Sequence, residues 1–249
     1  GDNLTCASAV IQKFLVENYP QEYIDCVYNL AKYGKYDKWG LVIPAESNLN
    51  SITALELHDE NGNARANNLE NDIDYTAVDA IMQTAIQNMA DNDTFLKMCY
   101  NFLTGHAYNP LNNNIKSWGM TYYDKYYVLN TLTSQNIVAS NSCEMSYNDL
   151  LTMLDKYNPD SYTFIAGIEM TDFGFDKSGR HAIEISGANN GSTEFWTWGR
   201  YGFTLQLDCP IRNLIVIEKT NYAKQEKKTK STLRCNCSAC TNISCSVCM

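Results

Sequence analysis

The stretch that decides the fold of this chain is residues 179–198, GRHAIEISGANNGSTEFWTW. Apolar and polar side chains alternate over 181–186, as they do in a strand with one buried face. The turn residues 189–192 (Asn-Asn-Gly-Ser) follow, and alternation resumes over 193–198. Asparagine and glycine between two alternating runs predict a β-hairpin.

Other elements are predicted outward from this hairpin by their apolar periodicity. Three more strands are predicted, at 162–170, 203–207 and 214–218. Upstream, helical patterns predict helices from Thr5 to before Pro20 and at 21–33, 119–134 and 146–156, and one or two helices at 75–104. Helices in the first two thirds and strands in the last third predict an α+β fold, with a helical N-terminal lobe packed on a C-terminal antiparallel sheet.

Several local details follow from the same patterns. The second helix is expected to end at Gly34, with these side chains facing inward: Tyr23, Ile24, Val27, Leu30 and Ala31. Residues 107–114 are expected to form a loop, and a small hairpin is expected around Asn61-Gly62. Ser146 and Asp149 form a capping-box pattern that predicts a helix start.

The composition fits one globular domain with a basic, cysteine-rich extension. The chain has 249 residues, 45% of them hydrophobic, which suffices for one sizeable core. Of the formal charge of −9, residues 219–249 carry six basic residues against one glutamate, a balance of +5, which leaves −14 on residues 1–218. A body that acidic argues against nucleic acid as a partner. No apolar run approaches the roughly 20 residues of a membrane-spanning helix, so no membrane span is expected.

Cys6 lies at the start of the first predicted helix. Unpaired backbone N–H groups and the helix dipole stabilise a thiolate there, so we expect a lowered pKa and a nucleophilic sulfur. A small buried residue or half of a disulfide is the commoner use of such a cysteine. If Cys6 is free, the other body cysteines can form two disulfides; they are Cys26, Cys99, Cys143 and Cys209.

His181 begins the first strand of the predicted hairpin, on the face of Ile183 and Ile185. An imidazole at the rim of an apolar face can serve as a base near neutral pH. A hydrogen-bonded structural histidine is the alternative.

Together these two residues resemble the papain-like cysteine peptidases. The resemblance rests on Thr5-Cys6-Ala7-Ser8 at a helix start, on the histidine strand 179–187, and on Phe195-Trp196-Thr197-Trp198-Gly199, which is similar to that family's Asn-Ser-Trp-Gly return strand. The order of elements over residues 5–218 agrees with it. Only five residues precede Cys6, which is most similar to the compact bacterial peptidases and secreted toxins of this clan. The resemblance implies a papain-like fold, with Cys6 as nucleophile and His181 as base.

Two departures from the family pattern stand out. The family's third catalytic residue, an asparagine or aspartate about sixteen positions after the histidine, is replaced here by the region of Trp196 and Thr197. Thr197, Glu194 and Asp208 are the candidates to orient the imidazole. The family's oxyanion-hole glutamine is also missing, and Asn3 is the candidate in its place, beside the backbone N–H of Cys6.

The last residues form a separate cysteine-rich tail. Residues 219–234 are polar and basic, which predicts a linker between the domain at 1–218 and the tail at 235–249. The tail cysteines follow the pattern C-x-C-x2-C-x4-C-x2-C; they are Cys235, Cys237, Cys240, Cys245 and Cys248. Their spacing allows a zinc site, and disulfides or free thiols are the other interpretation.

We therefore expect a cysteine-dependent hydrolase, a peptidase or amidase, that acts on a peptide or protein substrate and needs no cofactor for catalysis. A catalytically degenerate binding or structural protein on the same fold is the alternative. Secretion or export is the expected localisation, with the cytoplasm as the other possibility.

Overall fold

The computed structural model describes residues 6–44, 77–91, 99–101, 106–108, 115–116, 119–134, 136–173, 179–189, 192–197, 200–204 and 210–220. Asn3, Asp208, the predicted hairpin around Asn61-Gly62 and all five tail cysteines lie outside these ranges.

A six-stranded antiparallel sheet, in the order β10-β9-β8-β7-β11-β6, organises the described part of the chain. Its strands are β6 (Ile137–Asn141), β7 (Tyr162–Glu169), β8 (Arg180–Asn189), β9 (Ser192–Thr197), β10 (Arg200–Thr204) and β11 (Asn213–Glu218). Within it, Asn189 pairs with Ser192, so the predicted hairpin is confirmed. Smaller pairings join β1 (Lys35–Tyr36) to β2 (Leu41–Val42), and β3 (Cys99–Asn101) to β4 (His106–Tyr108) to β5 (Ile115–Lys116).

Helices cover both faces of the large sheet. They are α1 (Cys6–Asn18), α2 (Pro20–Tyr33), α3 (Ala77–Asp91), α4 (Tyr122–Thr133) and α5 (Tyr147–Lys156). One apolar cluster joins α1, α3 and α4 to Ile165, Ala182 and Trp196, and a second joins α5 to Phe164, Ile183 and Phe195. The central strands are consequently buried on both sides, which explains their nearly continuous apolar sequence.

The mixed α+β class with antiparallel sheets is confirmed. Helix ends also follow their predicted signals. Gly34 ends α2 in the left-handed conformation, with φ of 71°, which glycine adopts without a Cβ clash. The side chain of Ser146 accepts a hydrogen bond from the backbone of Asp149, whose carboxylate accepts one in return, so the predicted capping box opens α5.

A buried ladder of polar side chains joins α1 to α3. The Gln12 amide donates to Tyr23 Oη and to Asp79 Oδ1, each at 2.8 Å, and its oxygen accepts from Gln83 Nε2 at 3.0 Å. Ser8 Oγ donates to Gln87 Oε1 at 3.2 Å. Because a slip of one helix along the other would leave these groups unpaired, the ladder fixes the helix that carries Cys6.

Some local predictions were wrong. Within the one or two helices predicted at 75–104, Ala77–Asp91 is helical but residues 99–101 form a strand, and residues 107–108 of the predicted loop also lie in a strand. Ile24 on α2 is 60% exposed, and Ala31 is also exposed, because α2 buries a narrower stripe, with Cys26 in it. Short strands of two or three residues carry too little periodicity to distinguish them from helix ends or loops.

Within the described ranges, no helix is long and apolar enough to cross a membrane. Lys219 and Thr220, the first residues of the predicted linker, still hydrogen-bond to the body. Lys219 Nζ donates to the Pro159 carbonyl at 2.7 Å, and Thr220 Oγ1 donates to the Asn18 carbonyl at 2.7 Å.

Candidate active site

The Cys6 thiol lies where the first turn of α1 meets strand β8. Cys6 is free and only half-buried. Its sulfur accepts a hydrogen bond from the backbone N–H of Ala182, and its own N–H and that of Ala7 also face it. The contact with Ala182 places the sulfur beside the residue that directly follows His181.

His181 is the second residue of β8, opposite Ile168 of β7, and it is 4% exposed. The start of α1 and the start of β8 are therefore adjacent, although 175 positions separate Cys6 from His181 in the sequence. They are close because α1 packs along β8, in the same layer as α3.

The imidazole is held by Thr197, the last residue of β9. His181 Nε2 and Thr197 Oγ1 form a hydrogen bond, and the Thr197 side chain is fully buried. A threonine hydroxyl can accept from Nε2–H, and this tautomer leaves Nδ1 as the basic nitrogen. Of the two candidates that the structure describes, Thr197 and Glu194, Thr197 is the one that contacts the ring.

Glu194 occupies a different environment. It is exposed, and strand alternation puts its side chain on the face opposite that of Thr197, three residues further on. Glu194 therefore does not reach the imidazole, and its backbone carbonyl accepts from Ser186 Oγ at 3.1 Å. Asp208 and Asn3 lie outside the described residues, so their roles stay predictions.

Sequence analysis missed Lys125, a buried lysine in this site. It lies on α4, is 3% exposed, and donates from Nζ to Asn213 Oδ1 at 2.7 Å. A signal for it was present, because Lys125 stands at helical spacing before Val128, Leu129 and Leu132, on the buried face of α4. A charged residue in an apolar stripe is the exception that points to a functional site.

Burial dominates the electrostatics of these three groups. It raises the pKa of the Cys6 thiol, against the lowering effects of the Ala182 N–H and of Lys125. Burial, helped by the positive charge of Lys125, lowers the pKa of His181 to about 3. Burial also lowers the pKa of Lys125 to about 8, although Cys6 opposes this effect. Near pH 7 the resting site therefore holds a neutral thiol, a neutral imidazole and a largely protonated lysine.

The expected lowering of the Cys6 pKa was wrong. The backbone N–H groups of the helix start do face the sulfur and do favour the thiolate. Removing the sulfur from water costs the thiolate more than these groups return.

A buried ion pair connects α1 to the histidine strand. Lys13 Nζ lies 2.7 Å from Glu184 Oε2 and 2.9 Å from Glu17 Oε1, with the Lys13 and Glu184 side chains only 10% and 8% exposed. The same ammonium lies 5.5 Å from the ring centroid of Trp196 on β9. These contacts hold the helix of Cys6 against the strands of His181 and Thr197.

The remaining cysteines do not follow the expected pattern. Cys26 and Cys143 are free thiols, so the two predicted body disulfides do not form. Cys26 is buried among α1, α3 and Trp39, whereas Cys143 is exposed. Among the residues that the structure describes, no three His, Cys, Asp or Glu side chains are grouped to hold a metal ion. The zinc and disulfide interpretations of the tail stay predictions.

No protein-family model, curated protein or solved structure matches this chain. The site must therefore be interpreted from its own geometry and chemistry.

The lowered pKa of His181 predicts a dependence of stability on acid pH. In the unfolded chain His181 binds a proton below its ordinary pKa of 6.5, whereas in the fold it does so only near 3. Between these values the unfolded state binds more protons, so the free energy of unfolding falls as pH is lowered, by up to about 1.4 kcal/mol per pH unit. His181→Gln should remove this contribution.

Urea unfolding of both proteins at pH 6.5, 5.5 and 4.5 measures it. The pH dependence of the free energy of unfolding is compared between the two proteins, because the carboxylates titrate equally in both. Equal slopes in the two proteins would contradict the burial of a neutral imidazole.

Proposed function

We propose that this chain is a papain-like cysteine hydrolase that cleaves peptide or amide bonds through an acyl-enzyme on Cys6. The observation that carries the proposal is the contact of the Cys6 sulfur with the backbone of Ala182, directly after a histidine whose ring is held by Thr197. A thiol at a helix start, next to the strand that carries an oriented neutral imidazole, supplies the two groups that nucleophilic catalysis needs.

The reaction begins with the thiol of Cys6 attacking the substrate carbonyl. His181 takes the thiol proton while the new C–S bond forms and the carbonyl electron pair moves to oxygen. The tetrahedral intermediate then breaks its C–N bond, and His181 gives the proton to the leaving amine. Water attacks the resulting thioester with His181 as base, the C–S bond breaks, and the carboxylic acid leaves.

Because the resting imidazole is neutral, it is in the form that accepts a proton. Its lowered pKa makes it a weak base, so the reaction should depend on other groups that stabilise negative charge on sulfur and oxygen. The backbone N–H of Cys6 is one such donor, and Asn3 is proposed as a second.

A peptide library made from a digested proteome tests the proposal directly. After incubation with the protein, mass spectrometry is expected to find new peptide termini if backbone amides are cleaved. It would find side-chain amides converted to acids if the enzyme is an amidase. Cys6→Ala serves as the background, and no difference between it and the unmodified protein would refute hydrolase activity on amides.

Thr197 is expected to act as a positioning residue for His181. Thr197→Val keeps the shape but removes the hydroxyl, so the imidazole loses its partner and the turnover number should fall about tenfold. Thr197→Ser restores a hydroxyl and should recover most of the loss. Turnover numbers on a cleaved library peptide provide the measurement, and an equal loss in both variants would indicate a packing role instead.

A non-catalytic protein on the same fold is the second candidate function, and one feature favours it. Ile183 belongs to the cluster beneath α5, whereas Ala182 belongs to the α1 cluster, and strand alternation places the His181 side chain on the Ile183 face. The thiol contacts β8 at the backbone of Ala182, on the side of the strand away from the His181 side chain. If the library experiment shows no cleavage, this candidate becomes the better one.

A further inference from the structure

The buried ammonium of Lys125 requires an explanation. Its hydrogen bond at 2.7 Å goes to the amide oxygen of Asn213, which carries no charge. An ammonium removed from water is costly unless a negative charge lies near it, and a neutral amide offsets only part of that cost. An uncharged apolar side chain such as leucine would fill the same space, so the positive charge of Lys125 requires a functional explanation.

Strand register shows what surrounds this ammonium. Ala182, Gly167 and Asn213 lie side by side across β8, β7 and β11. Adjacent strands are about 4.8 Å apart, so the row spans about 10 Å. The Cys6 sulfur contacts one end of the row at Ala182, and Lys125 binds the other end at Asn213.

Gly167 in the middle of the row leaves room for this arrangement. A Cβ at this position would come within 2.6 Å of Asn213 Nδ2 and 2.8 Å of its Oδ1. Any larger residue would push the Asn213 amide away from the lysine. The Asn213 amide, which binds the ammonium, therefore occupies the space over Gly167, between the two ends of the row.

We propose that Lys125 is the positive charge partner of the Cys6 thiolate. Its ammonium stabilises the negative sulfur once the thiol proton has left, so the thiolate does not depend on an imidazolium at His181. The imidazole stays neutral between proton transfers, because the same ammonium repels a second positive charge. This role rests on the proposed function, since only a nucleophilic cysteine needs it.

The charged groups around the lysine agree in sign with this role. Cys6 on α1 and Asp124 on α4 act on Lys125 as negative charges, and Arg180 on β8 acts as a positive one. His181 on β8 also interacts with it electrostatically. Loss of the ammonium is therefore expected to raise the pKa of both Cys6 and His181.

Alkylation by iodoacetamide at pH 7 tests the proposal without any substrate. Peptide mapping reports Cys6 and the exposed Cys143 in the same sample, and Cys143 serves as the internal reference thiol. In Lys125→Met the Cys6 alkylation rate at pH 7, where Lys125 of the unmodified protein is largely protonated, should fall about tenfold. Lys125→Arg should restore most of the rate, and Cys143 should not change.

Two further measurements guard against a variant that merely disturbs the fold. Asn213→Asp keeps the lysine but pairs it with a carboxylate, so it should also lower the Cys6 alkylation rate at pH 7. Proton NMR titration of His181 in Lys125→Met should show its pKa moving up from the acid range, and Lys125→Arg should keep it low, whereas a packing defect that admits water to the ring would raise the pKa in both variants.

The outcomes separate this inference from the proposed function. An unchanged Cys6 alkylation rate at pH 7 in Lys125→Met, or a loss that Lys125→Arg does not reverse, would overturn the role of Lys125 even if peptides are cleaved. A reversible loss of alkylation rate in a protein that cleaves nothing would support the charge partnership and refute the hydrolase.

Discussion

Replacing either Cys6 or His181 with alanine should lower turnover of any cleaved amide by about 10⁴-fold or more. Without the sulfur no thioester forms, and without the imidazole no group takes the thiol proton or delivers it to the leaving amine. The two residues act in the same step. The double variant is therefore expected to be no slower than the slower single variant.

The measurement is the steady-state rate on the library peptide that the unmodified protein cleaves fastest. Cys143→Ala provides the matched control, because Cys143 is an exposed free thiol just after β6, the edge strand that lies three strands from β8 in the sheet. It should retain full activity. Substantial activity in His181→Ala would show that another base operates. Multiplied losses in the double variant would mean that the two residues act independently.

Replacing Lys13 with methionine is expected to destabilise the fold by about 3 to 5 kcal/mol. The change leaves the carboxylate of Glu184 buried without its partner at 2.7 Å. The cation–π contact with Trp196 is lost as well. Urea unfolding at pH 7 measures the free energy of unfolding of both proteins.

A second variant separates the missing partner from the missing charge. Lys13→Met combined with Glu184→Met removes both charges and should recover most of the stability, because an apolar pair of similar volume replaces a buried ion pair at little cost. If the double variant is as unstable as the single one, the loss of stability would come from altered packing and not from the unpaired carboxylate.

Lowering the pH should also restore part of the stability that Lys13→Met loses. Burial raises the pKa of Glu184, and Lys13 acts against that rise. Without Lys13 the pKa rises further, so the folded state binds a proton at a higher pH than the unfolded state does, and stability increases as pH falls towards the ordinary pKa of 4.5. Lys35→Met is the surface control, since Lys35 and Asp37 form an exposed pair expected to contribute less than about 1 kcal/mol.

Strong periodicity and end signals made several elements predictable. The helices α1, α2, α4 and α5 and the β8–β9 hairpin occur close to the predicted positions. The sequence of each carries an apolar stripe of at least three turns, a capping residue such as Ser146, or a turn signal such as the dipeptide Asn190-Gly191. These signals act between neighbours in the chain, so they are visible in the sequence.

Short and half-buried strands were not predictable in this way. β6, at the edge of the sheet, alternates between intermediate and exposed residues, so it has no apolar run. β3 to β5 have two or three residues each. Their conformation depends on a partner strand that lies elsewhere in the sequence, which local patterns do not reveal.

The candidate site divides in the same manner. The sequence by itself determined the helix start that carries Cys6 and the strand that carries His181. It also gave Thr197, sixteen positions after His181, as one of three candidates for the orienting residue. Tertiary structure alone decided that Thr197 contacts the ring, that Lys125 and Asn213 join the site, and that burial raises the pKa of the thiol. Backbone conformation depends on a few neighbouring residues, whereas solvation and charge depend on everything that the fold packs around a group.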